Sequence, residues 1–296
     1  MKYIPIMRLC SIETKLVTNE LSNEKIFPLF EVTDPRNFEA RLEGIKEKFG
    51  SEFMVELPLY LSEADNKHMA GVLQLIVSAQ RESNGISGQS KFYIKNKENI
   101  PIPVISGEMR NQSIYNQIIS QFQEIKDDFE RAAIRIFVSH LHLTSNQKNE
   151  IRTIFDLLRS GDIVLLDVVE FEGIETGVLN NIKDIIALKN EKENKNEICI
   201  LNAFDIRDGR RETHNYTPLI CNMFKMDGFG DFATIPRLEA SGGGGSQTKI
   251  IRYYVHWKHK LCPFISISGG YPEVKRLMKA SSHWTEGIAN SHFKVC

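Results

Sequence analysis

The sequence has few cysteines and no long hydrophobic run. Its five cysteines are scattered and include no C-x-x-C pair, which argues against structural disulfides and predicts a reducing compartment. No apolar run approaches the roughly 20 residues that a membrane-spanning helix needs. The N-terminal segment Met1–Ile6 also lacks the apolar core of a signal peptide. We therefore expect a cytoplasmic protein without membrane association.

A surplus of charge of either sign is also missing. The 37 Lys and Arg residues nearly balance the 38 Asp and Glu residues, and the formal net charge is −1. A whole-surface field that gathers DNA or anionic lipid is therefore not expected. The sequence contains no G-x-S-x-G elbow, no Walker loop and no H-E-x-x-H motif, so nucleophilic serine or cysteine catalysis has no positive support.

What the sequence does contain is an alternation of short apolar runs with amphipathic stretches. The runs span residues 3–7, 26–32, 53–59, 101–106, 134–139, 163–169 and 198–204, with an eighth candidate at 230–235. Nearly all of their residues are apolar, which is typical of strands that a parallel sheet buries on both faces.

The stretches between these runs have helical periodicity. Ile114, Ile118 and Phe122 share one helical face, and Thr144 with Gln147 resembles a capping box. A barrel of eight strands and eight helices needs roughly 250 residues, and the chain has 296. We predict an α/β fold, a TIM-like (β/α)8 barrel with a C-terminal β-rich embellishment. An open doubly wound sheet is the alternative, but no glycine-rich phosphate loop follows the first run.

A glycine-rich break, Ser241–Ser246, divides the chain. Its composition is that of a flexible linker, and an engineered junction and a natural glycine loop both fit it. We predict a barrel core at residues 1–240 and a linker or loop at 241–249. A β-hairpin and a closing helix at 250–296 would complete the same domain.

Acidic residues recur near the ends of the predicted strands. In barrels of this type, active sites lie at the C-terminal ends of the strands. The catalytic candidates are Glu31, Glu56, Asp167, Asp205 and Asp231. Of these, Glu31, Asp167 and Asp205 are candidate ligands for Mg²⁺ or Mn²⁺, which prefer oxygen donors. General acid or base chemistry is a second role for them, and capping of helix N-termini is the purely structural explanation.

Basic and aromatic residues supply candidate contacts to phosphate. Arg207, Arg210 and Arg211 follow the seventh run, and guanidinium groups at a barrel mouth suit phosphate or carboxylate. The stretch 249–260 mixes cations with aromatic residues, a pattern that can contact nucleic acid or nucleotides. A solvated loop and an amphipathic strand are the structural alternatives.

Two histidine-containing segments have residue types that bind metals. His140 and His142 lie two residues apart at the end of the fifth run, and His256, His259 and Cys262 lie close together. Structural zinc needs four ligands, and the second segment lacks an evident second pair. Ordinary loop residues are the preferred interpretation of both segments.

Several short motifs together resemble the bacterial and phage beta family proteins. They are Tyr3–Met7, Ile26–Val32, Gly228–Asp231, the Arg-Tyr-Tyr at 252–254, Trp284 and the Asn-Ser-His at 290–292. The resemblance spans nearly the whole chain. It implies a barrel fold and a gene neighbourhood of mobile elements and phage-defence genes. It also draws attention to Glu31, Asp231, Arg252, Trp284 and His292 without assigning roles to them.

Two functions follow as hypotheses, and a structural scaffold whose barrel mouth is merely polar is the third interpretation. The first is a binding or regulatory component of a bacterial anti-phage defence system that works with a protein partner. The second is a metal-dependent phosphodiesterase or nuclease, in which the carboxylates hold the metal and the arginines hold phosphate. Arg252, Trp284 and His292 are further candidates for substrate or phosphate contact. The sequence does not decide whether the protein is an enzyme.

Overall fold

The computed structural model describes residues 1–9, 26–32, 37–50, 52–59, 87–107, 113–168, 176–203, 213–231, 249–255, 260–266 and 270–281. Within these ranges, the chain forms eleven strands and seven helices. No helix in the described ranges has both the length and the apolar character needed to cross a membrane.

Eight strands form a closed barrel in which all neighbours are parallel. Seven of them are β1 (Lys2–Arg8), β2 (Leu29–Glu31), β3 (Met54–Glu56), β4 (Ile102–Ile105), β5 (Ala133–Val138), β6 (Ile163–Val168) and β7 (Glu197–Leu201). The eighth, β9 (Gly228–Asp231), pairs with both β7 and β1 and so closes the ring. The barrel prediction is therefore confirmed. The strand predicted at 230–235 begins two residues earlier, and residues 232–235 lie outside the described ranges.

The helices follow the strands along the chain. They are α1 (Phe38–Phe49), α2 (Gly88–Lys95), α3 (Ile114–Ile125), α4 (Ser145–Leu157), α5 (Thr176–Glu191) and α6 (Thr217–Met223). The predicted capping box is present at the start of α4, where the side chains and backbones of Thr144 and Gln147 bond reciprocally. Buried apolar stripes, such as Ile118, Phe122 and Ile125 on α3, face the barrel and explain the helical periodicity of the sequence.

Strand alternation divides the apolar side chains into two clusters. One fills the interior of the barrel, and the other joins the barrel to the surrounding helices. The interior cluster consists of Ile4, Ile6, Phe27, Leu29, Met54, Ile102, Val104, Ala133, Ile163, Leu165, Cys199 and Leu201. It fills the lower and middle levels, so the barrel has a solid core up to the C-terminal ends of its strands.

A small antiparallel sheet is attached beside the end of β7. It comprises β8 (Thr213–His214), β10 (Lys249–Val255) and β11 (Lys260–Ser266), with β11 between the other two. The helix α7 (Gly270–Lys279) contacts β10 and β11. Because β8 lies between β7 and α6 in the chain, its pairing with β11 links the predicted hairpin to the mouth of the barrel.

A buried tyrosine joins β3 to β4 near the mouth. The Tyr93 hydroxyl accepts a hydrogen bond from the Leu57 backbone N–H at 3.0 Å and donates one to the Val104 carbonyl at 2.6 Å. We expect Tyr93→Phe to lower the free energy of unfolding by about 1–3 kcal/mol, because it leaves a buried N–H and a buried carbonyl with one partner fewer. Urea denaturation measures this change, and an unaltered midpoint would contradict it.

Candidate functional site

The highest level of the barrel interior is charged. Arg135 points inward from β5 and its side chain is completely buried. Three fully buried carboxylates surround it, from Glu31 at the end of β2, Glu56 at the end of β3 and Asp167 on β6. We call Arg135, Glu31, Glu56 and Asp167 the charged layer.

Arg135 donates hydrogen bonds to all three acids of the charged layer. Its Nη1 donates to Glu31 Oε1 at 2.9 Å and also to Glu56 Oε2. Its Nε and Nη2 both donate to Asp167 Oδ2, at 2.9 and 2.6 Å. The ring of Phe137 lies beside the guanidinium, with 5.6 Å between the centre of the ring and Cζ. Multiple charge-assisted bonds of this kind orient a planar guanidinium rigidly.

Asn202 extends this network from β6 to the end of the neighbouring strand β7. It follows β7 and has a positive φ of 59°, a backbone conformation that asparagine tolerates better than most residues. Its Nδ2 donates to Asp167 Oδ1 at 3.0 Å. The two oxygens of Asp167 therefore bond to two different strands, which ties β5, β6 and β7 together at the mouth.

Glu56 is an acid of the charged layer whose pKa is strongly perturbed. Burial raises its pKa from 4.5 to about 7, and the nearby charge of Glu31 adds to the increase, whereas the Arg135 charge opposes it. A buried carboxyl group with a pKa near neutrality can exchange a proton under physiological conditions. Groups of this kind occur often at functional sites, although structural charge networks produce them too.

Several buried polar atoms in and beside the charged layer have no hydrogen-bond partner among the described residues. They include Glu56 Oε1, Ser106 Oγ and Asn202 Oδ1. The Ser106 hydroxyl lies close enough to Glu56 to lower its pKa, yet the two side chains do not adopt the geometry of a regular hydrogen bond. Buried polar atoms are normally bonded, so atoms without partners indicate a place for water or a ligand.

The close approach of Gly107 to α3 fixes the position of Ser106. Gly107 follows it, and a Cβ atom on this glycine would lie 2.5 Å from Ile114 Cγ1 and 3.0 Å from the Ile114 carbonyl oxygen. Only glycine permits this close approach of the strand end to the start of α3. Ser106 is therefore held on the inner side of the wall, next to Glu56.

The structure brings together three of the five predicted catalytic acids. Glu31, Glu56 and Asp167 converge, as the barrel prediction requires. Asp231 lies elsewhere, because strand alternation on β9 places it on the outer face of the barrel wall. There it accepts hydrogen bonds from the Tyr3 hydroxyl at 3.0 Å and from Asn215 Nδ2 at 2.8 Å.

For most of the remaining predicted site residues, the structure describes no side-chain position. Arg252 lies on β10, of which the backbone alone is described. Residues outside the described ranges are Asp205, Arg207, Arg210, Arg211, Trp284 and His292, together with His256 and His259 of the proposed zinc segment. His140 and His142 are exposed beyond the end of β5.

Metal binding remains a prediction for Glu31, Asp167 and Asp205. Among the residues that the structure describes, no group of three His, Cys, Asp or Glu side chains is arranged to hold a metal ion. In the charged layer, the guanidinium of Arg135 takes the position between the carboxylates. A metal there would compete with Arg135 for the same oxygen atoms.

Sequence analysis missed Ser106 and, above all, Arg135 at the centre of the charged layer. Its signal is visible in retrospect, since it is the one charged residue in the strand Ala133–Val138. A charged side chain in a strand that a barrel buries needs partners of opposite charge. The acids predicted at the ends of other barrel strands are the partners of opposite charge that Arg135 requires.

The buried Asp231 predicts a pH dependence of stability. Burial raises its pKa from 3.8 to about 6, although hydrogen bonds from Tyr3 and Asn215 oppose the increase. Because the folded protein holds this proton more tightly than the unfolded chain, the contribution is complete below pH 4 and is lost as the pH rises through 6. We expect a loss of up to about 3 kcal/mol in the free energy of unfolding.

Replacing Asp231 by asparagine isolates this contribution. The stability of the Asp231→Asn variant should change less than that of the wild type between pH 4 and 6, measured by urea denaturation at each pH. Glu56 has its own pH dependence in both proteins, so the difference between the two curves reports Asp231. Parallel curves would show that Asp231 ionises normally in the folded state.

Comparison with known proteins places the whole barrel in one family. The sequence model of the family described as "Beta protein" matches residues 3–262. No curated protein matches the chain. Among solved structures, the chain is similar to a GH5-4 broad specificity endoglucanase from an uncultured bacterium, with 8% sequence identity and a TM-score of 0.44. That similarity covers 75% of this chain and 78% of the endoglucanase chain.

Proposed function

Since the chain belongs to the Beta protein family, we propose that it is a cytoplasmic component of a bacterial anti-phage defence system. It would act by binding, with the mouth of the barrel receiving a ligand or part of a protein partner. Family membership supports the biological setting, and the charged layer supports the place of binding. In barrels, the C-terminal ends of the strands carry function, whereas the opposite end serves stability.

The observation that carries this proposal is that Arg135 bonds to all three acids, while polar atoms close to it have no hydrogen-bond partner among the described residues. Arg135 occupies oxygens of Glu31, Glu56 and Asp167, so these buried side chains are held in fixed positions below the mouth of the barrel. Beside it, Glu56 Oε1 and Ser106 Oγ are buried and have no partner among the described residues. Rigid polar groups with unused bonding capacity are the usual means by which a pocket orients its ligand.

Phage plating tests the defence role. Cells that express the wild-type gene in its native neighbourhood should form fewer plaques than cells without it. Glu56→Gln, which keeps the shape of the side chain, should reduce this protection. The matched control is Glu197→Gln at the opposite end of the barrel, where a partly exposed Glu197 pairs with Lys2 at 2.7 Å. Equal plaque counts with and without the gene across a broad phage panel would refute the role.

A metal-dependent phosphodiesterase or nuclease is the second candidate. The observation in its favour is the convergence of Glu31, Glu56 and Asp167 at the mouth, with the raised pKa of Glu56 among them. Purified protein with Mg²⁺ or Mn²⁺ should then cleave nucleic acids or cyclic nucleotides, and Asp167→Asn should abolish the turnover. Absence of cleavage in every combination of substrate and metal would remove this candidate.

A further inference from the structure

The buried polar atoms without hydrogen-bond partners in and beside the charged layer are mainly hydrogen-bond acceptors. Glu56 Oε1 accepts hydrogen bonds, at least in the ionised form, and so does Asn202 Oδ1, while Ser106 Oγ can accept or donate. All three side chains are buried by nine-tenths or more. A ligand that satisfies these atoms must therefore bring hydrogen-bond donors.

Glu56 and Ser106 form the compact part of this set. Glu56 ends β3, where it pairs in register with Val104 of β4, and Ser106 directly follows β4. Ser106 is two residues beyond Val104, so strand alternation places Glu56 and Ser106 on the same inner face. Asn202 follows β7, on the opposite side of the ring. Asn202 is therefore a separate contact point.

Phosphate and carboxylate groups do not match this site. Their oxygens are acceptors and would face Glu56 Oε1, a carboxylate oxygen that also accepts. A primary ammonium group has three N–H donors and no acceptor, and its bonds to a carboxylate are charge-assisted. It is the group that complements Glu56 Oε1 and Ser106 Oγ best.

We propose that Glu56 and Ser106 form a subsite for a primary ammonium group at the mouth of the barrel. This inference rests on the proposed binding function and names the chemistry of the ligand. The ammonium can belong to a free amine or to a lysine side chain of a protein partner. Both sources present the same –NH₃⁺ group to the subsite.

Thermal unfolding with small probes tests the subsite. Ethylammonium chloride is compared with tetramethylammonium chloride at equal concentration, because the second cation has the same charge but no N–H donor. A ligand that binds the folded state alone raises Tm. We expect ethylammonium to raise Tm by about 2 °C more than tetramethylammonium does. Equal shifts with both cations would overturn the proposal, as would a larger shift with inorganic phosphate.

A pair of serine variants links the shift to the subsite. Ser106→Ala removes a hydroxyl that forms no regular hydrogen bond with a described residue and acts only weakly on Glu56, so the Tm of the free protein should change little. In this variant, the rise in Tm with ethylammonium beyond that with tetramethylammonium should nevertheless fall to roughly half or less of the wild-type value. Ser90 is equally buried, but its hydroxyl bonds to Ser87 Oγ at 2.8 Å. Ser90→Ala should therefore lower Tm and keep the full ethylammonium shift.

The two sources of the ammonium are separated by a third probe. If Nα-acetyl-lysine amide raises Tm more than ethylammonium does, the ammonium group belongs to a lysine of a protein partner. If the two probes raise Tm equally, it belongs to a free amine. An ethylammonium shift that Ser106→Ala leaves unchanged would overturn the subsite. Loss of phage protection in Glu56→Gln without any ammonium shift would preserve the binding function and overturn the ligand class.

Discussion

Replacing Arg135 by methionine is expected to lower the free energy of unfolding by about 3–5 kcal/mol, the cost typical of removing one partner from a buried ion pair. The guanidinium is completely buried and bonds to Glu31, Glu56 and Asp167, whose side chains are equally inaccessible to solvent. Methionine fills much of the same volume but leaves the three acids without this positive charge. Urea denaturation at pH 7 measures the change.

A surface arginine provides the control for this prediction. Arg152 on α4 pairs with Glu191 at 3.2 Å, and both side chains are at least one-third exposed. Arg152→Met should therefore cost less than about 1 kcal/mol. An equally small loss of unfolding free energy in Arg135→Met would contradict the prediction. It would mean that the three acids are protonated, or paired with another positive charge, when Arg135 is absent.

Neutralising an acid should restore part of the stability that Arg135→Met removes. Asp167 receives two of the bonds from Arg135 and one from Asn202. Arg135→Met leaves the buried charge of Asp167 without its positive partner. In the double variant Arg135→Met with Asp167→Asn, this negative charge is removed as well. We therefore expect the double variant to be more stable than Arg135→Met alone, which a double-mutant cycle quantifies. Additive losses would show that the two residues do not interact.

Gly230→Ala is expected to have the second largest effect, a loss of about 3 kcal/mol or more, which exceeds ordinary overpacking because a backbone atom is involved. Gly230 lies on β9, the strand that closes the barrel between β7 and β1. A Cβ atom here would lie against the Ile4 carbonyl oxygen, 2.7 Å from Ile4 Cβ and 2.8 Å from Leu201 Cδ2. Relief of these contacts requires the strands themselves to separate.

Gly44→Ala is the matched control for the closing strand. Gly44 lies within the helix α1, and nothing lies within 4 Å of the position of its Cβ. Alanine favours the helix over glycine, so this variant should gain about 0.5–1 kcal/mol. Thermal unfolding of both variants compares the same chemical change at a crowded and an open position. A stable Gly230→Ala protein would show that the barrel can widen at β9.

The periodic parts of the fold were predictable because their signals are local. Seven of the eight barrel strands appear in the sequence as short apolar runs, since both of their faces are buried. The capping box at Thr144 and Gln147 involves residues three positions apart, so the sequence contains the whole motif. The exact start of β9 was less predictable, because Gly228 and Gly230 are chosen for close contact with their neighbours and not for strand propensity.

The candidate site was predictable in part. Parallel strands around one axis bring their C-terminal ends to one rim, so the meeting of Glu31, Glu56 and Asp167 followed from the topology. The separation of Asp231 did not, because it depends on which face of β9 the residue occupies. A shift of one position in a strand exchanges the inner and outer faces.

The order of strands and helices, the parallel sheet and the edge at which acids gather were determined by the sequence itself, because apolar periodicity and caps act over a few neighbouring residues. Which polar groups meet was decided by the tertiary structure. Arg135 and Glu31 are 104 residues apart in the chain and still form a direct ion pair. Closure of the barrel brings them together, and burial then makes their charges depend on each other.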